Sequence, residues 1–196
     1  NYLLRLGWSH GDDEIISREQ AIEWFGVDGL GKSPSRLDFD KMKHMNAQYL
    51  RNIDNEDLVQ MIFDYYKGEL SEASQVSINS AIELMKPRAE LITDLYELAK
   101  MFRVDKALSI SEESKQIISE CDPALKVQII ETIDNIEQFD KDNIQAALKE
   151  VAKENDLKLG GLMKYIRAYV AGQTASPSVF EMMAIFGKKE TLYRLK

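Results

Sequence analysis

The chain has 196 residues, of which 44% are hydrophobic and 30% charged, and its formal net charge is −8. This composition is ordinary for a globular protein of one large domain or two small ones. It argues against a membrane protein, because no apolar run approaches the roughly 20 residues that cross a bilayer. The single cysteine, Cys121, excludes an intrachain disulfide and is typical of a protein in the reducing cytoplasm.

Charge is unevenly distributed along the chain. Residues 157–196 hold seven basic and two acidic side chains, a net charge of +5, so the first 156 residues carry −13. Overall acidity argues weakly against nucleic-acid binding, since phosphate contacts need lysine and arginine. A local basic face can nevertheless hold a polyanion, because distant acids are screened beyond about 10 Å. The charge split therefore points to a partner of the C-terminal segment.

The first residues read as the end of a helix that stops near Gly7, and they lack the features of a signal peptide. Because the chain starts inside an apolar run without an initiator methionine, we expect it to be cut from a longer protein. Ser17 is predicted to cap the next helix, with Gln20 completing a capping box. The apolar face of that helix is formed by Ala21, Ile22, Trp24 and Phe25.

A succession of helices is predicted from residue 38 onward, because apolar residues recur at a spacing of three to four. The predicted N-caps are Asp38, Asp54 or Asn55, Ser111, Asp122 and Asp140. The predicted apolar faces include Phe39, Met42, Met45 and Tyr49 in one helix, Leu58, Ile62 and Tyr65 in the next, and Val127, Ile130, Ile133 and Ile136 in a later one. Lys86 and Pro87 interrupt one helix, Gly172 ends another, and Gly187 separates the last two. No segment reads as a strand, so the predicted fold class is all-α.

Residues typical of an active site or a metal centre are sparse. His10 and His44 are far apart in sequence and have no helical histidine or cysteine partner, whereas a zinc site needs about four such ligands. Cys121 has no obvious histidine partner, which makes a structural thiol the simplest interpretation. The Gly160–Gly161 pair lacks the spacing of a phosphate-binding loop. We therefore expect neither catalytic residues nor a metal site in this chain.

Several blocks of the sequence resemble the C-terminal part of bacterial glutamyl-tRNA synthetases. They are residues 1–9 (Asn-Tyr-Leu-Leu-Arg-Leu-Gly-Trp-Ser), residues 32–38 with 45–51, residues 83–88 (Glu-Leu-Met-Lys-Pro-Arg) and residues 158–188. The blocks occur in the family's order and extend over the whole chain. The resemblance implies the end of a stem-contact region (1–53) followed by two helical anticodon-binding subdomains (54–104 and 105–196).

Members of this family attach glutamate to tRNA in a reaction that uses ATP and Mg²⁺. Their catalytic Rossmann domain carries a His-Ile-Gly-His-like motif and a Lys-Met-Ser-Lys-Ser-like loop, and this sequence contains neither. The resemblance thus implies an inactive fragment without cofactors of its own, taken from a monomeric cytoplasmic enzyme. Its partner would be tRNA-Glu, with tRNA-Gln left open as a second substrate, and neither DNA nor a membrane.

The resemblance also implies a set of RNA-binding residues. Arg88 matches the arginine that faces the third anticodon base, and Arg167, Ser176, Pro177 and Val179 match the opposite wall of the anticodon pocket. Contacts with tRNA phosphates are implied for four further side chains, Lys32, Arg36, Arg51 and Lys164.

Simpler interpretations stay open for several of these residues. Arg88 could be a surface arginine near a helix start, Val179 an ordinary core valine, and Lys32, Arg36 and Arg51 solvated charges. For the whole chain the alternative is a helical protein-interaction scaffold without RNA binding.

Overall fold

The computed structural model describes residues 1–32 and 34–196, and Ser33, which belongs to the block at 32–38, lies outside the described residues. Eleven α-helices follow one another in the described chain: α1 (Tyr2–Gly7), α2 (Arg18–Trp24), α3 (Phe39–Asn52), α4 (Asn55–Tyr66), α5 (Glu72–Met85), α6 (Ile92–Lys100), α7 (Glu112–Ser119), α8 (Pro123–Asp134), α9 (Lys141–Glu154), α10 (Leu159–Ala171) and α11 (Val179–Leu195). Two short 3₁₀ turns occupy Val27–Gly29 and Lys86–Arg88. Extended residues pair only at an isolated antiparallel bridge between Trp8 and Leu30, so the all-α prediction is confirmed for the described part of the chain.

Most of the predicted helices start at a residue whose side chain caps the first turn. Ser17 and Gln20 form the predicted capping box at the start of α2. Four further predicted caps accept hydrogen bonds from backbone N–H groups of the first helical turn, namely Asp38, Ser111, Asp122 and Asp140. Asp54 precedes α4 but makes no side-chain capping bond. Each confirmed cap satisfies a backbone donor that the helix itself leaves unpaired.

The helix ends also follow the prediction. α1 ends at Gly7, and Gly172 caps α10 in the left-handed conformation, with φ of 67°. Gly187, with φ of 73°, breaks the helical geometry inside α11 and so separates its two halves. Glycine adopts such a φ without the steric cost that a Cβ atom adds, which explains glycine at positions 172 and 187.

Two groups of helices share one hydrophobic core. In the first group α4, α5 and α6 pack together, and in the second α7, α8 and α9 pack around α10 and α11. α11 also contacts α5, and the ring of Phe102 lies 5.6 Å from the ring of Phe186. The buried cluster extends from Leu50 to Leu195. The surface between the groups is therefore well packed where these helices meet.

The side chains of Trp8 and Asn1 help to hold the N-terminal segment in place. The indole of Trp8 is buried and donates from Nε1 to the carbonyl of Gly26 at 3.0 Å. A Cβ atom at Gly29 would lie 2.4 Å from that same nitrogen, so only glycine fits beside the indole. Asn1 accepts hydrogen bonds from the backbone of Ile16 at 2.8 Å and from the hydroxyl of Tyr49 at 2.6 Å.

Three of the predicted apolar faces contain errors. In α4 the buried tyrosine is Tyr66, 7% exposed, whereas the predicted Tyr65 is 50% exposed. In α8 the predicted Val127 is 53% exposed, and Leu125, Ile129 and Ile133 form the buried side. In α3 Met45 and Leu50 are buried, while the predicted Phe39 and Tyr49 are exposed. An apolar stripe on a helix is broad, and the neighbouring helices decide which part of it is covered.

The predicted face of α2 is also largely uncovered. Ile22 and Phe25 are among the exposed large hydrophobic residues, and no residue of α2 is buried.

No helix among the described residues has the length and apolar character needed to cross a membrane.

Candidate nucleic-acid interface

Arg88 is held by a rigid turn at the end of α5. Pro87 is the second residue of the 3₁₀ turn Lys86–Arg88, in its first turn, where its fixed φ and missing N–H are well tolerated. The ammonium group of Lys86 anchors the turn by donating to the carbonyl of Ile53 at 2.6 Å and to Oδ1 of Asn55 at 3.0 Å. The backbone of Arg88 therefore has a fixed position relative to α3 and α4.

The guanidinium of Arg88 remains largely available for a ligand. Its only polar contact in the described part of the chain is a hydrogen bond from Nη1 to the carbonyl of Leu84 at 2.8 Å. An arginine side chain carries five N–H donors in a planar fork. Most of these donors therefore have no partner among the described residues, and the side chain is exposed to solvent.

The loop between α10 and α11 faces Arg88. At its start, Gly172 accepts a hydrogen bond from the backbone of Ser111 at 2.9 Å. A Cβ atom at Gly172 would lie 2.4 Å from the carbonyl oxygen of Ser109, so the two chain segments approach more closely than any side chain would allow. The hydroxyl of Thr174 binds the carboxylate of Glu113 at 3.2 Å, which braces the loop against α7.

Arg167 and Ser176 shape the second half of this loop. Nε of Arg167 donates to Oγ of Ser176 at 3.1 Å, and the same hydroxyl donates to the carbonyl of Pro177 at 2.8 Å. Both Arg167 and Ser176 are half-buried, and Pro177 is buried. The arginine thus fixes the path of the chain just before α11 begins.

Arg88 and the loop share one cleft. The cleft has a volume of about 540 Å³, a size typical of sites for small ligands, and it lies between the two groups of helices. Its walls are formed by Arg88, by four residues of α6 (Asp94, Glu97, Leu98 and Lys100), by Met101, Leu108 and Ser109 after that helix, by Ala171 at the end of α10, and by the loop residues Gln173, Thr174 and Ala175.

The other charged groups of the cleft are already paired. Asp94 accepts hydrogen bonds from the backbone N–H groups of Glu90 and Leu91. Glu97 forms an ion pair with Lys100 at 2.6 Å. Arg88 is therefore the cleft cation whose charge is least compensated within the described residues, which favours an electron-rich ligand.

Arg88 also acts electrostatically on the start of α11. The pKa of Glu181 is lowered chiefly because Lys141 donates a hydrogen bond to its carboxylate at 2.8 Å, and the positive charge of Arg88 adds to this effect.

Comparisons with known proteins agree with this geometry. A family model described as "Anticodon binding domain" matches residues 46–196. The chain belongs to the anticodon-binding domain family.

The relatives of this anticodon-binding chain are glutamate–tRNA ligases. It is 50% identical over its whole length to glutamate–tRNA ligase 2 of Rickettsia felis and 48% identical to glutamate–tRNA ligase 1 of Rickettsia canadensis. It covers 43% of each of these relatives. A crystal structure of a glutamate tRNA ligase from Elizabethkingia meningosepticum superimposes with a TM-score of 0.79 at 28% identity, over 97% of this chain and 38% of that one. The chain thus spans less than half of the length of the relatives it matches.

The anticodon-binding chain uses the predicted wall residues unequally. Arg88 lines the cleft, whereas Arg167 in α10 and the loop residues Ser176 and Pro177 are not among the lining residues. Val179 is buried at the start of α11 and belongs to the hydrophobic core. The structure thus brings one predicted side chain into the cleft and gives three others a supporting position.

Gln173, Thr174 and Ala175 form a part of the cleft that the sequence did not indicate. None of them belongs to a motif, and their composition is that of any loop. Only their place in the sequence could have indicated them, because they lie between Gly172, which ends α10, and the predicted site residue Ser176.

The predicted phosphate-binding side chains lie outside the cleft lining. Lys164 is half-exposed, forms an ion pair with Glu120 at 3.4 Å and lies over the ring of Tyr165. The side chains of Lys32, Arg36 and Arg51 are exposed. The structure leaves all four side chains accessible to a ligand.

The basic C-terminal segment does not form one charged face. Arg194 is buried, and the ammonium of Lys188 donates to the carbonyl of Asp134 at 2.7 Å. The net charge of the segment therefore overstates the charge available to a polyanion.

Among the described residues no group of three or more histidine, cysteine, aspartate or glutamate side chains could hold a metal ion. Burial raises the pKa of the Cys121 thiol, which disfavours the reactive thiolate.

Proposed function

We propose that this chain is the tRNA-binding part of a glutamate–tRNA ligase and that its cleft reads the anticodon. The observation that carries the proposal is the cleft itself, which joins Arg88 to the loop after α10 in a chain of the anticodon-binding family. Sequence-specific RNA recognition usually targets unpaired loops, whose bases are splayed out and bonded at their edges.

Arg88 is the side chain that we expect to touch a base. Its free N–H donors form a fork that can bond the O2 and N3 acceptors of cytosine, and the same fork meets no acceptor on a donor-rich edge. Gln173 and Thr174 offer further polar groups from the opposite wall. We expect Arg167, Ser176, Pro177 and Val179 to support this wall, and Lys32, Arg36, Arg51 and Lys164 to bind phosphates more weakly.

The enzyme to which the chain corresponds would attach glutamate to tRNA-Glu with ATP and Mg²⁺. That chemistry belongs to a catalytic domain for which this sequence has no motif, so the 196 residues alone are expected to bind tRNA without aminoacylating it. Under this proposal residues 1–53 continue the stem-contact region, and residues 54–104 and 105–196 are the two anticodon-binding subdomains. The protein would work in the cytoplasm as a monomer.

Binding of tRNA transcripts tests the proposal. Filter binding at several salt concentrations would compare tRNA-Glu with a transcript in which only the anticodon is changed, and would include tRNA-Gln as a second natural ligand. We expect tighter binding of tRNA-Glu and a steep loss of affinity as salt rises.

The side-chain assignment needs matched variants. Arg88→Ala should reduce discrimination between the two anticodons by roughly 10-fold to 100-fold, the range expected for the loss of one bidentate contact. Lys149→Ala removes an exposed cation on α9, outside the cleft, and should leave the ratio unchanged. Equal affinity for all transcripts would contradict the proposal, and salt-insensitive capture of a protein would favour an interaction scaffold instead.

A further inference from the structure

Arg194 lies in the last turn of α11, and its side chain points into the protein. At a C-terminal helix end a basic side chain usually stays solvated and interacts with the carbonyls of its own helix. The side chain of Arg194 is instead only 3% exposed, and its guanidinium lies 4.0 Å from the centre of the Phe186 ring.

The guanidinium makes four hydrogen bonds to three separate parts of the fold. Nε donates to the carboxylate of Glu190 in α11 at 2.7 Å. Nη1 donates to the carbonyls of Met101 at 2.7 Å and Val170 at 2.8 Å, and Nη2 donates to the carbonyl of Arg103 at 2.8 Å. Four of the five arginine N–H groups are thus used, which no other side chain could do.

The three carbonyls lie at the C-terminal ends of two helices. Met101 is the C-cap of α6, Arg103 follows it, and Val170 is in the last turn of α10. Carbonyls at such ends lack helical partners and carry a partial negative charge. Without a cation between them, the two helix ends would repel each other.

These two helices carry the two walls of the cleft. α6 and its C-cap Met101 supply five lining residues on the same wall as Arg88, and α10 leads directly into the lining loop after Gly172. Because one nitrogen of Arg194 binds a carbonyl from each side, the distance between the walls is tied to a single guanidinium.

The connection continues into the first group of helices through Arg103. Its own side chain is buried, forms an ion pair with Asp105 at 3.0 Å and donates to the carbonyl of Glu69 at 3.0 Å. Arg194 therefore binds a segment that is itself firmly attached to α4 and α5.

We propose that Arg194 is a positioning residue that sets the width of the cleft and thereby its anticodon selectivity. The proposal rests on the proposed function, since selectivity has meaning only if the cleft reads an anticodon. Arg194 itself does not touch the RNA.

The test compares two substitutions at this position in the full chain. Arg194→Lys keeps the charge but has its donors on one nitrogen, and Arg194→Met keeps only the apolar length. Dissociation constants would be measured for tRNA-Glu and for the anticodon-changed transcript, with the folded fraction of each variant determined by circular dichroism. Tyr193→Ala, an exposed neighbour in α11, is the matched control.

We expect the ratio of the two dissociation constants to fall roughly tenfold in both Arg194 variants, as if one base contact were misaligned. The affinity of each variant for the anticodon-changed transcript should stay within about threefold of the original protein's affinity for it, since phosphate contacts are not affected. A purely structural role would lower both affinities in proportion to the folded fraction and leave the ratio intact, which would overturn the inference.

A milder variant covers the case in which both Arg194 variants unfold. Glu190→Gln leaves the guanidinium in place but weakens its orientation, so the same ratio should fall about threefold, and an unchanged ratio would overturn the inference. If the original protein shows no anticodon dependence, the proposed function and this inference fail together. If it is selective and Arg194→Lys keeps the full ratio, only the positioning role fails.

Discussion

Replacing Asp105 by asparagine is expected to destabilise the protein by about 3 kcal/mol at neutral pH, the lower end of the range for breaking a buried ion pair. The carboxylate accepts two hydrogen bonds from Arg103, at 3.0 and 3.1 Å, one from the hydroxyl of Ser74 at 2.8 Å and one from the backbone of Ser71 at 3.1 Å. Arg103 is 7% exposed, so water cannot replace the lost charge. An asparagine keeps the shape but has one acceptor oxygen and places an N–H₂ group against donors.

The destabilisation caused by Asp105→Asn should become smaller at low pH. The hydrogen bond from Arg103 holds the pKa of Asp105 well below its ordinary value, against the opposing effect of burial. A carboxyl group with a lowered folded-state pKa stabilises the fold above its unfolded pKa, about 3.9, and this contribution disappears as pH falls through the folded-state pKa. The difference in unfolding free energy between the original protein and Asp105→Asn should therefore be constant from pH 7 to about pH 5 and become smaller below about pH 4.

Urea denaturation followed by circular dichroism at pH 7, 5 and 3 measures this gap. At this chain length about 3 kcal/mol corresponds to a fall in Tm of about 6 to 12 °C. Glu97→Gln is the matched control, because its ion pair with Lys100 is exposed and should contribute at most about 1 kcal/mol. A gap below about 0.5 kcal/mol at pH 7, or an equal gap at pH 3, would refute the reasoning.

Two further predictions test the backbone and the core. Gly172→Ala should cost roughly 2 kcal/mol or more, because φ is 67° and the new Cβ would meet the carbonyl of Ser109, whereas Gly68→Ala has a positive φ but open space and should cost only about 1 kcal/mol. Equal losses of unfolding free energy for the two variants would show that the contact with Ser109 is unimportant. Leu125→Ala should lower the unfolding free energy by about 2 to 5 kcal/mol, and Val127→Ala by less than about 0.5 kcal/mol. A larger loss for Val127→Ala in urea denaturation would show that Val127 lies on the buried face of α8, as the sequence predicted.

The helix boundaries could be predicted because the interactions that set them are local. At Ser17, Asp38 and Asp140 the capping oxygen and the backbone N–H that it binds are two or three residues apart. The end of α10 needs only a residue that tolerates a left-handed φ, which Gly172 supplies. Such interactions are visible in any short window of sequence.

The buried sides of the helices were less predictable. Tyr65 and Tyr66 are adjacent and equally apolar, and they point about 100° apart on α4. Which of them is covered depends on α6 and on the carbonyl of Tyr96, which accepts a hydrogen bond from the Tyr66 hydroxyl at 2.8 Å. A partner 30 residues away leaves no trace in the local pattern.

The cleft shows the same division between local and distant information. The sequence by itself determined the all-α class, most helix ends and, through its family resemblance, the two chain segments around Arg88 and Arg167. Only the tertiary structure decided that Gln173 to Ala175 line the cleft while Val179 lies in the core. It also turned Arg194 from one of seven basic residues in a charged segment into an internal link between α6 and α10. Burial and the carbonyls that reach a guanidinium are set by helices distant in sequence, and only folding brings them together.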